Sequence, residues 1–294
     1  MSRMRVFARS TAARAKLNPA AAVTAILLLA SRLSGEVIRQ YRKLKAEAGP
    51  SRNVVLLAPS AGRHPSLPPD ITLFPLADAP MADLDLPVLQ YARRHPWYLW
   101  LWVISEEVAF SGRWGTLFDA FDDSRADLLA TTVCGYETMP GWEHWDSLMV
   151  PGQALPRHRW LHAFLPLYRL SRSAVNALDE AYRSGWGGHF AAALPTILAD
   201  AGLALEDIGG DGPFVAPGNR NRFYVNTPGT PSLSPGSLVH RPLRLIPGAR
   251  PDQLWYPVGP PAFEPRRSDG APLSEKRKWA APPSERRSHP WSKE

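Results

Sequence analysis

The feature that most constrains this chain is a set of five apolar runs, at 53–58, 71–76, 99–104, 126–133 and 164–170, separated by turn-rich or amphipathic stretches. Runs this short, bounded by Gly, Pro and charged residues, read as buried strands rather than helices. Between them the apolar period lengthens. Trp114, Leu117, Phe118 and Phe121 recur at helical spacing, as do Val175, Leu178, Ala181 and Tyr182 behind a cap at Ser171 or Ser173. Phe190, Leu194, Ile197 and Leu198 mark a further helix that stops at Gly202. Alternating strands and helices predict an α/β fold, with a mainly parallel sheet flanked by helices and ligands held at the strand carboxyl ends. The stretch 213–261, punctuated by Pro and Gly, reads as loops with short strands.

Three segments are expected. Residues 1–50 form a basic N-terminal segment and helix, 51–262 the folded domain, and 263–294 a disordered basic tail of Pro, Ser, Arg and Glu. The helix is read from Asn18-Pro19 as cap and first turn, the apolar run 20–30, the continuing pattern at Leu33, Val37, Ile38, Tyr41 and Leu44, and the stop at Gly49-Pro50. Its apolar part is too short to span a bilayer. A basic stretch before eleven apolar residues also resembles a signal peptide, although Arg32 follows closely and no small-residue cleavage site is evident. The favoured reading is a helix that docks on the body or lies on an anionic membrane surface.

The net charge of +7 is unevenly placed: residues 1–45 carry +9, residues 264–294 carry +3, and residues 46–263 carry −5. An acidic body argues against a nucleic-acid partner, because phosphate binding demands a basic surface. All six lysines, at 16, 43, 45, 276, 278 and 293, lie outside the body. That excludes a Walker A loop, a Schiff-base lysine and a Ser-x-x-Lys hydrolase there. The single Cys134 excludes intrachain disulfides and cysteine-rich zinc sites, and leaves a cytoplasmic location as the simplest expectation.

The most informative chemistry closes the central run, in Trp102-Val-Ile-Ser105-Glu106-Glu107-Val108-Ala-Phe110-Ser111-Gly112. Two adjacent carboxylates at the end of a buried strand sit where open α/β sheets bind ligands. Their hard oxygens suit a divalent cation, Mg²⁺ or Mn²⁺, that would neutralise a diphosphate. Adjacent strand residues point to opposite faces, so at most one of the two coordinates directly; Glu107 is the expected metal ligand and Glu106 the donor-side carboxylate. An acidic turn facing water is the alternative.

This segment resembles the W-x-I-E-x-D-V-x-F-S-G-x-W signature of an uncharacterised bacterial family related to GT-A glycosyltransferases. Further stretches agree in order: Ala126-Asp127-Leu128-Leu129, Phe164-Leu-Pro-Leu-Tyr168-Arg169-Leu-Ser171, Gly185-Trp186-Gly-Gly188-His189-Phe190, Pro195-Thr196 and Gly236-Ser-Leu-Val239-His240-Arg241-Pro242. The resemblance implies a single GT-A-like (Rossmann-like) domain with a mixed, mainly parallel sheet, an acidic metal-binding turn, a nucleotide-sugar donor, and a late histidine, His240, completing the metal shell. Three positions depart from it, the mildest being Glu107 where the pattern has Asp. Ser105 replaces the first acid, and Ala191 stands where an acid follows the Gly-His-aromatic motif. The base that takes the acceptor proton must then come from elsewhere, and Asp207, Glu206 and His189 are the candidates.

Other residues complete the expected site. Arg241 and Arg244 suit diphosphate oxygens, since a lysine-free body must use guanidinium groups. Gly188, ahead of a helix, suits backbone contact with an anion. Trp142, His144, Trp145 and Asp146 combine aromatic platforms with polar groups, as a sugar acceptor requires. The function expected is transfer of a sugar from a nucleotide-sugar donor to a glycan or lipid-linked acceptor. The alternatives are a catalytically inactive GT-A-like carbohydrate-binding or assembly protein, and a metal-free glycoside hydrolase, for which adjacent Glu106 and Glu107 do not supply carboxylates across a cleft.

Overall fold

The computed structural model describes residues 23–59, 68–76, 85–152, 154–225, 238 and 246–259. Seven strands build the main sheet: β1 (Thr24–Leu29), β2 (Arg52–Pro59), β3 (Leu73–Leu76), β4 (Trp100–Ser105), β6 (Leu128–Gly135), β7 (Leu161–Ser171) and β8 (Leu205–Asp207). Two short strands, β5 (Ala109–Phe110) and β9 (Leu254–Trp255), pair separately. The helices are α1 (Gly35–Glu47), α2 (Asp85–Arg94), α3 (Trp114–Asp119), α4 (Arg172–Arg183) and α5 (Phe190–Asp200).

The sheet order is β3-β2-β1-β4-β7-β6-β8, and every pairing is parallel except those of β7 with β4 and β6. This is the expected mixed, mainly parallel sheet flanked by helices. Both faces are covered, so each strand buries alternate residues in two cores. Ala25, Leu27 and Leu29 face α2, α4 and α5, whereas Ile26, Leu28 and Ala30 face α1 and α3.

The sequence reading needs correction at the N-terminal side. The apolar run 20–30 is not the front of a helix: residues 24–29 are β1, a central strand between β2 and β4. Leucine and alanine favour helix, but burial between two strands overrides that modest preference. The helix begins well after the start of its apolar pattern, with Ser34 as N-cap and its Oγ accepting from the Val37 N–H at 3.2 Å. Residues 24–47, expected in a separate N-terminal segment, are therefore built into the folded body. Asn18-Pro19 and residues 263–294 lie outside the described residues. Among those described, no helix is long and apolar enough to cross a membrane.

Buried arginines fasten the loops at the amino ends of the strands. Arg169, 3% exposed, donates to the carbonyls of Phe121, Ser124 and Ala126 and lies 4.1 Å over the Trp100 ring. Burial lowers its pKa to about 10. Arg172 likewise bonds the Ala92, His95 and Tyr98 carbonyls. These guanidinium groups satisfy loop carbonyls that burial would otherwise strand.

Candidate functional site

The carboxyl ends of the parallel strands carry the acidic turn. The Glu106 N–H donates to the Leu29 carbonyl at 2.9 Å, and its Oε1 accepts from both the N–H (2.8 Å) and the hydroxyl of Ser31. Glu106 thus ties the β1 exit to the β4 exit. Glu107 is held through its backbone: its N–H bonds Ser105 Oγ at 3.4 Å and its carbonyl accepts from the Val258 N–H at 2.7 Å. Its carboxylate has no hydrogen-bond or ion-pair partner among the described residues. The first turn of α1 opens beside the β1 exit, with exposed Arg32 just ahead of the Ser34 cap.

The Ser111-Gly112 part of the motif is mechanical rather than chemical. Ser111 Oγ donates to the Arg250 carbonyl and accepts from the Gln253 N–H at 3.0 Å, clasping β5 to β9. A Cβ on Gly112 would lie 1.9 Å from an Asp252 carboxylate oxygen, so glycine alone fits the clasp.

Strand β7 starts at Leu161, whereas its pairing with β4 ends at Leu167, opposite Ile104. Its first half therefore overhangs the acidic edge by about 17 Å, paired with β6 alone. On this overhang stands His162, and around it gather the residues expected to hold an acceptor. Trp142 is half-buried and meets the rings of His162, His144 and His189 edge-on, with centroids 4.7, 5.1 and 5.3 Å away. His144 and His189 stack at 4.2 Å and 8°. His189 N-caps α5, its Nδ1 accepting from the Ala191 N–H at 3.2 Å. Phe164, further along β7, packs on Tyr256, two residues before the Val258 that bonds Glu107.

His162 is 7% exposed, and its Nδ1 has no hydrogen-bond partner among the described residues. Burial lowers its pKa to about 4; a hydrogen bond to the Thr132 backbone opposes this, while His189 and His144 add to it. Sequence reasoning missed His162, whose only signal was a polar residue at the start of an otherwise apolar strand.

Several expected site residues have other duties. Trp145 is not a sugar platform: it is 2% exposed, with its indole N–H donating to the Met139 carbonyl at 2.7 Å. Asp146 is exposed and faces Arg157 at 3.4 Å. Gly188 adopts φ +115°, and a Cβ there would lie 2.5 Å from the Ser147 carbonyl oxygen, so close backbone approach explains the glycine. Asp207 is 1% exposed. Its carboxylate accepts from the Val133 N–H (2.8 Å), the Gly209 N–H (3.1 Å) and the Tyr224 hydroxyl (2.5 Å). Burial raises its pKa to about 6 despite those donors. That value suits a base, but geometry comes first, and a sealed carboxylate does not reach an acceptor. Glu206 accepts from Ser124 Oγ at 2.8 Å, in the loop that Arg169 fastens. Of the three candidate bases, only His189 joins the imidazole group.

His240, Arg241 and Arg244 lie outside the described residues. Among those described, no three His, Cys, Asp or Glu side chains converge to hold a metal ion. Glu107 is a single carboxylate, which would hold Mg²⁺ only together with substrate phosphates and water.

No family model and no curated protein matches the chain. Among solved structures, it is similar to a protein from Bacillus anthracis assigned as a glucose-1-phosphate thymidylyltransferase, crystallised with sucrose, at 10% identity and TM-score 0.38, covering 63% of this chain and 86% of that one. It is also similar to 2-C-methyl-D-erythritol 4-phosphate cytidylyltransferase from Thermus thermophilus, at 15% identity and TM-score 0.36, covering 62% of this chain and 87% of that one.

Proposed function

We propose that the protein is a glycosyltransferase that seats a nucleotide-sugar at the carboxyl ends of β1 and β4 and passes the sugar to an acceptor under the β6/β7 overhang. What supports this reading is an acidic turn and a helix N-terminus at the exits of β1 and β4, with Trp142, His144 and His189 gathered near His162 on the part of β7 that runs beyond its pairing with β4. The diphosphate lies against the first turn of α1, whose unpaired N–H groups and nearby Arg32 favour an anion. Glu107 orients donor hydroxyls or the diphosphate environment across the same opening.

On the acceptor side, Trp142 offers an apolar edge to a sugar ring, and His144, stacked on the capping His189, takes the proton from the attacking hydroxyl. His189 accepts the Ala191 N–H at Nδ1, so its neutral ring carries its hydrogen on Nε2 and meets the acceptor as a donor rather than as a base.

Calorimetry with a panel of uridine-, guanosine- and thymidine-diphosphate sugars tests the donor half, and product analysis tests transfer. Glu107→Gln is expected to weaken donor binding. His144→Asn is expected to leave donor binding intact and abolish transfer. If no nucleotide-sugar binds while glycans do, the chain is a non-catalytic carbohydrate-binding protein and the transferase reading fails.

A further inference from the structure

Strand β6 carries one residue more than β7 between two of their paired positions, since Thr131 faces Phe164 and Cys134 faces His162. The extra residue falls where Thr132 adopts φ +51°, a strained value for a β-branched side chain. This bulge is pinned by the Thr132 N–H, which donates to the Tyr224 hydroxyl at 2.7 Å. It also brings the Thr132 backbone into hydrogen-bonding contact with the His162 ring. Bulges beside functional sites re-aim a side chain, and here the one re-aimed is an imidazole. With one ring nitrogen given to the Thr132 backbone and Nδ1 unpartnered among the described residues, the ring hydrogen sits on Nε2 and Nδ1 presents a lone pair. Burial keeps the ring neutral at physiological pH, so that lone pair is always on offer. A buried acceptor without a donor is a cost to the fold, and a ligand that supplies the donor removes it.

Two indoles meet this ring. Trp145, 6.5 Å away, is sealed in the core and tied by its N–H to the Met139 carbonyl. Trp142, 4.7 Å away and edge-on, is half-buried, and its indole N–H makes no hydrogen bond among the described residues. Only ring contacts hold the Trp142 side chain there, so it is the one free to shift and uncover Nδ1.

We propose that His162 Nδ1 and the Trp142 indole N–H together receive one hydroxyl of the acceptor sugar, fixing its ring while another hydroxyl meets His144. The proposal rests on the placement of the acceptor given above and names the group that selects it. A hydroxyl both donates and accepts, so it serves the lone pair and the indole N–H at once. An ammonium group only donates and leaves the indole unserved. A phosphate or carboxylate only accepts and sets its charge against the lone pair. A sugar lacking this hydroxyl leaves both protein groups unpaired, which is the strongest form of rejection a site of this kind can exert.

The full chain with isotope-labelled histidine, read by nitrogen NMR, tests the proposal. It is titrated with methyl glycosides of glucose, galactose, mannose and N-acetylglucosamine and with their monodeoxy and amino analogues. The His162 signals are those missing from His162→Phe. In the free protein Nε2 is expected to carry the hydrogen and Nδ1 to be bare at neutral pH. A glycoside that binds should shift Nδ1 upfield, and one of its deoxy analogues should bind about tenfold more weakly and leave Nδ1 unmoved. His162→Phe should weaken the same glycoside by about tenfold, and Trp142→Phe, which keeps the apolar edge and loses the N–H, by a smaller factor. The native-chain spectra and Trp142→Phe decide the matter if His162→Phe does not fold. The proposal is overturned by a hydrogen on Nδ1, by failure of every glycoside to bind, by binding that leaves Nδ1 unmoved, or by an amino analogue that binds as tightly as its parent. Glycosides that engage His162 while no nucleotide-sugar binds would end the transferase reading and keep this assignment. Nucleotide-sugar binding with glycosides that ignore His162 would do the reverse.

Discussion

Two buried groups near the overhang titrate in the same window with opposite effects on stability. His162 has its pKa lowered from 6.5 to about 4, so between those values the unfolded chain binds a proton that the native chain refuses. Stability from this group is present above pH 6.5 and is lost as pH falls toward 4. Asp207 is the reverse: its pKa is raised from 3.8 to about 6, so the native chain keeps a proton that the unfolded chain releases. Its contribution is full below 3.8 and is lost as pH rises through 6. At about 1.4 kcal/mol for each tenfold change in proton affinity, each group amounts to about 3 kcal/mol. The two slopes oppose each other, which flattens the profile of the native protein across mildly acid pH. Single substitutions separate them in urea unfolding at successive pH values. The stability of the native chain minus that of His162→Gln should climb by about 3 kcal/mol from pH 4 to 6.5 and then level. The same difference for Asp207→Asn should fall by a similar amount from pH 4 to 6. A difference independent of pH for either variant refutes the assigned burial and partners.

Four further outcomes are expected. His189→Ala should cost about 1 kcal/mol through loss of the α5 cap, and His189→Asn should recover most of it, as measured by denaturant midpoints; equal losses would show that the cap is not the cause. Trp145→Ala should cost about 3–5 kcal/mol, whereas Asp146→Ala should change stability by less than about 0.5 kcal/mol, so thermal melts distinguish core from surface within one five-residue motif. Gly188→Ala should cost about 1–3 kcal/mol because of its positive φ and the Ser147 carbonyl, and an unchanged melting temperature would contradict that approach. The donor-free protein should show no tight Mn²⁺ binding by calorimetry; a stoichiometric site abolished by Glu107→Ala would reveal ligands beyond the described residues.

The strands with continuous apolar runs were legible because burial on both faces leaves no polar residue to obscure them. Strand β1 was not, since Ala, Leu and Ile serve helix and strand alike and the amphipathic pattern of α1 follows within a few residues. Its identity depends on neighbours β2 and β4, which local periodicity does not contain. The acidic turn was placed correctly at a strand end, although both glutamates follow the strand, which stops at Ser105, so strand alternation does not apply to them. The separate fates of Trp142 and Trp145 were invisible, because a three-residue step within a loop carries no period from which to infer burial. Asp207 was misleading for a related reason: the N–H and hydroxyl that seal it come from Val133 and Tyr224, 74 and 17 residues away.

The clasp between β5 and β9 sets an order in time. A growing chain is released from its amino end, so β1, β2 and β4 are available for pairing while the segment at 254–258 is still unmade. Until that segment arrives, Ala109–Phe110 has no partner strand, Ser111 has nothing to grip, and the Glu107 carbonyl lacks the Val258 N–H. The acidic turn is thus finished by residues synthesised about 150 positions later, after every strand of the main sheet has been produced. A chain interrupted before residue 250 would own the sheet yet present an unlatched edge. Completion of the acidic turn is then a late step of biosynthesis, and it marks a full-length body.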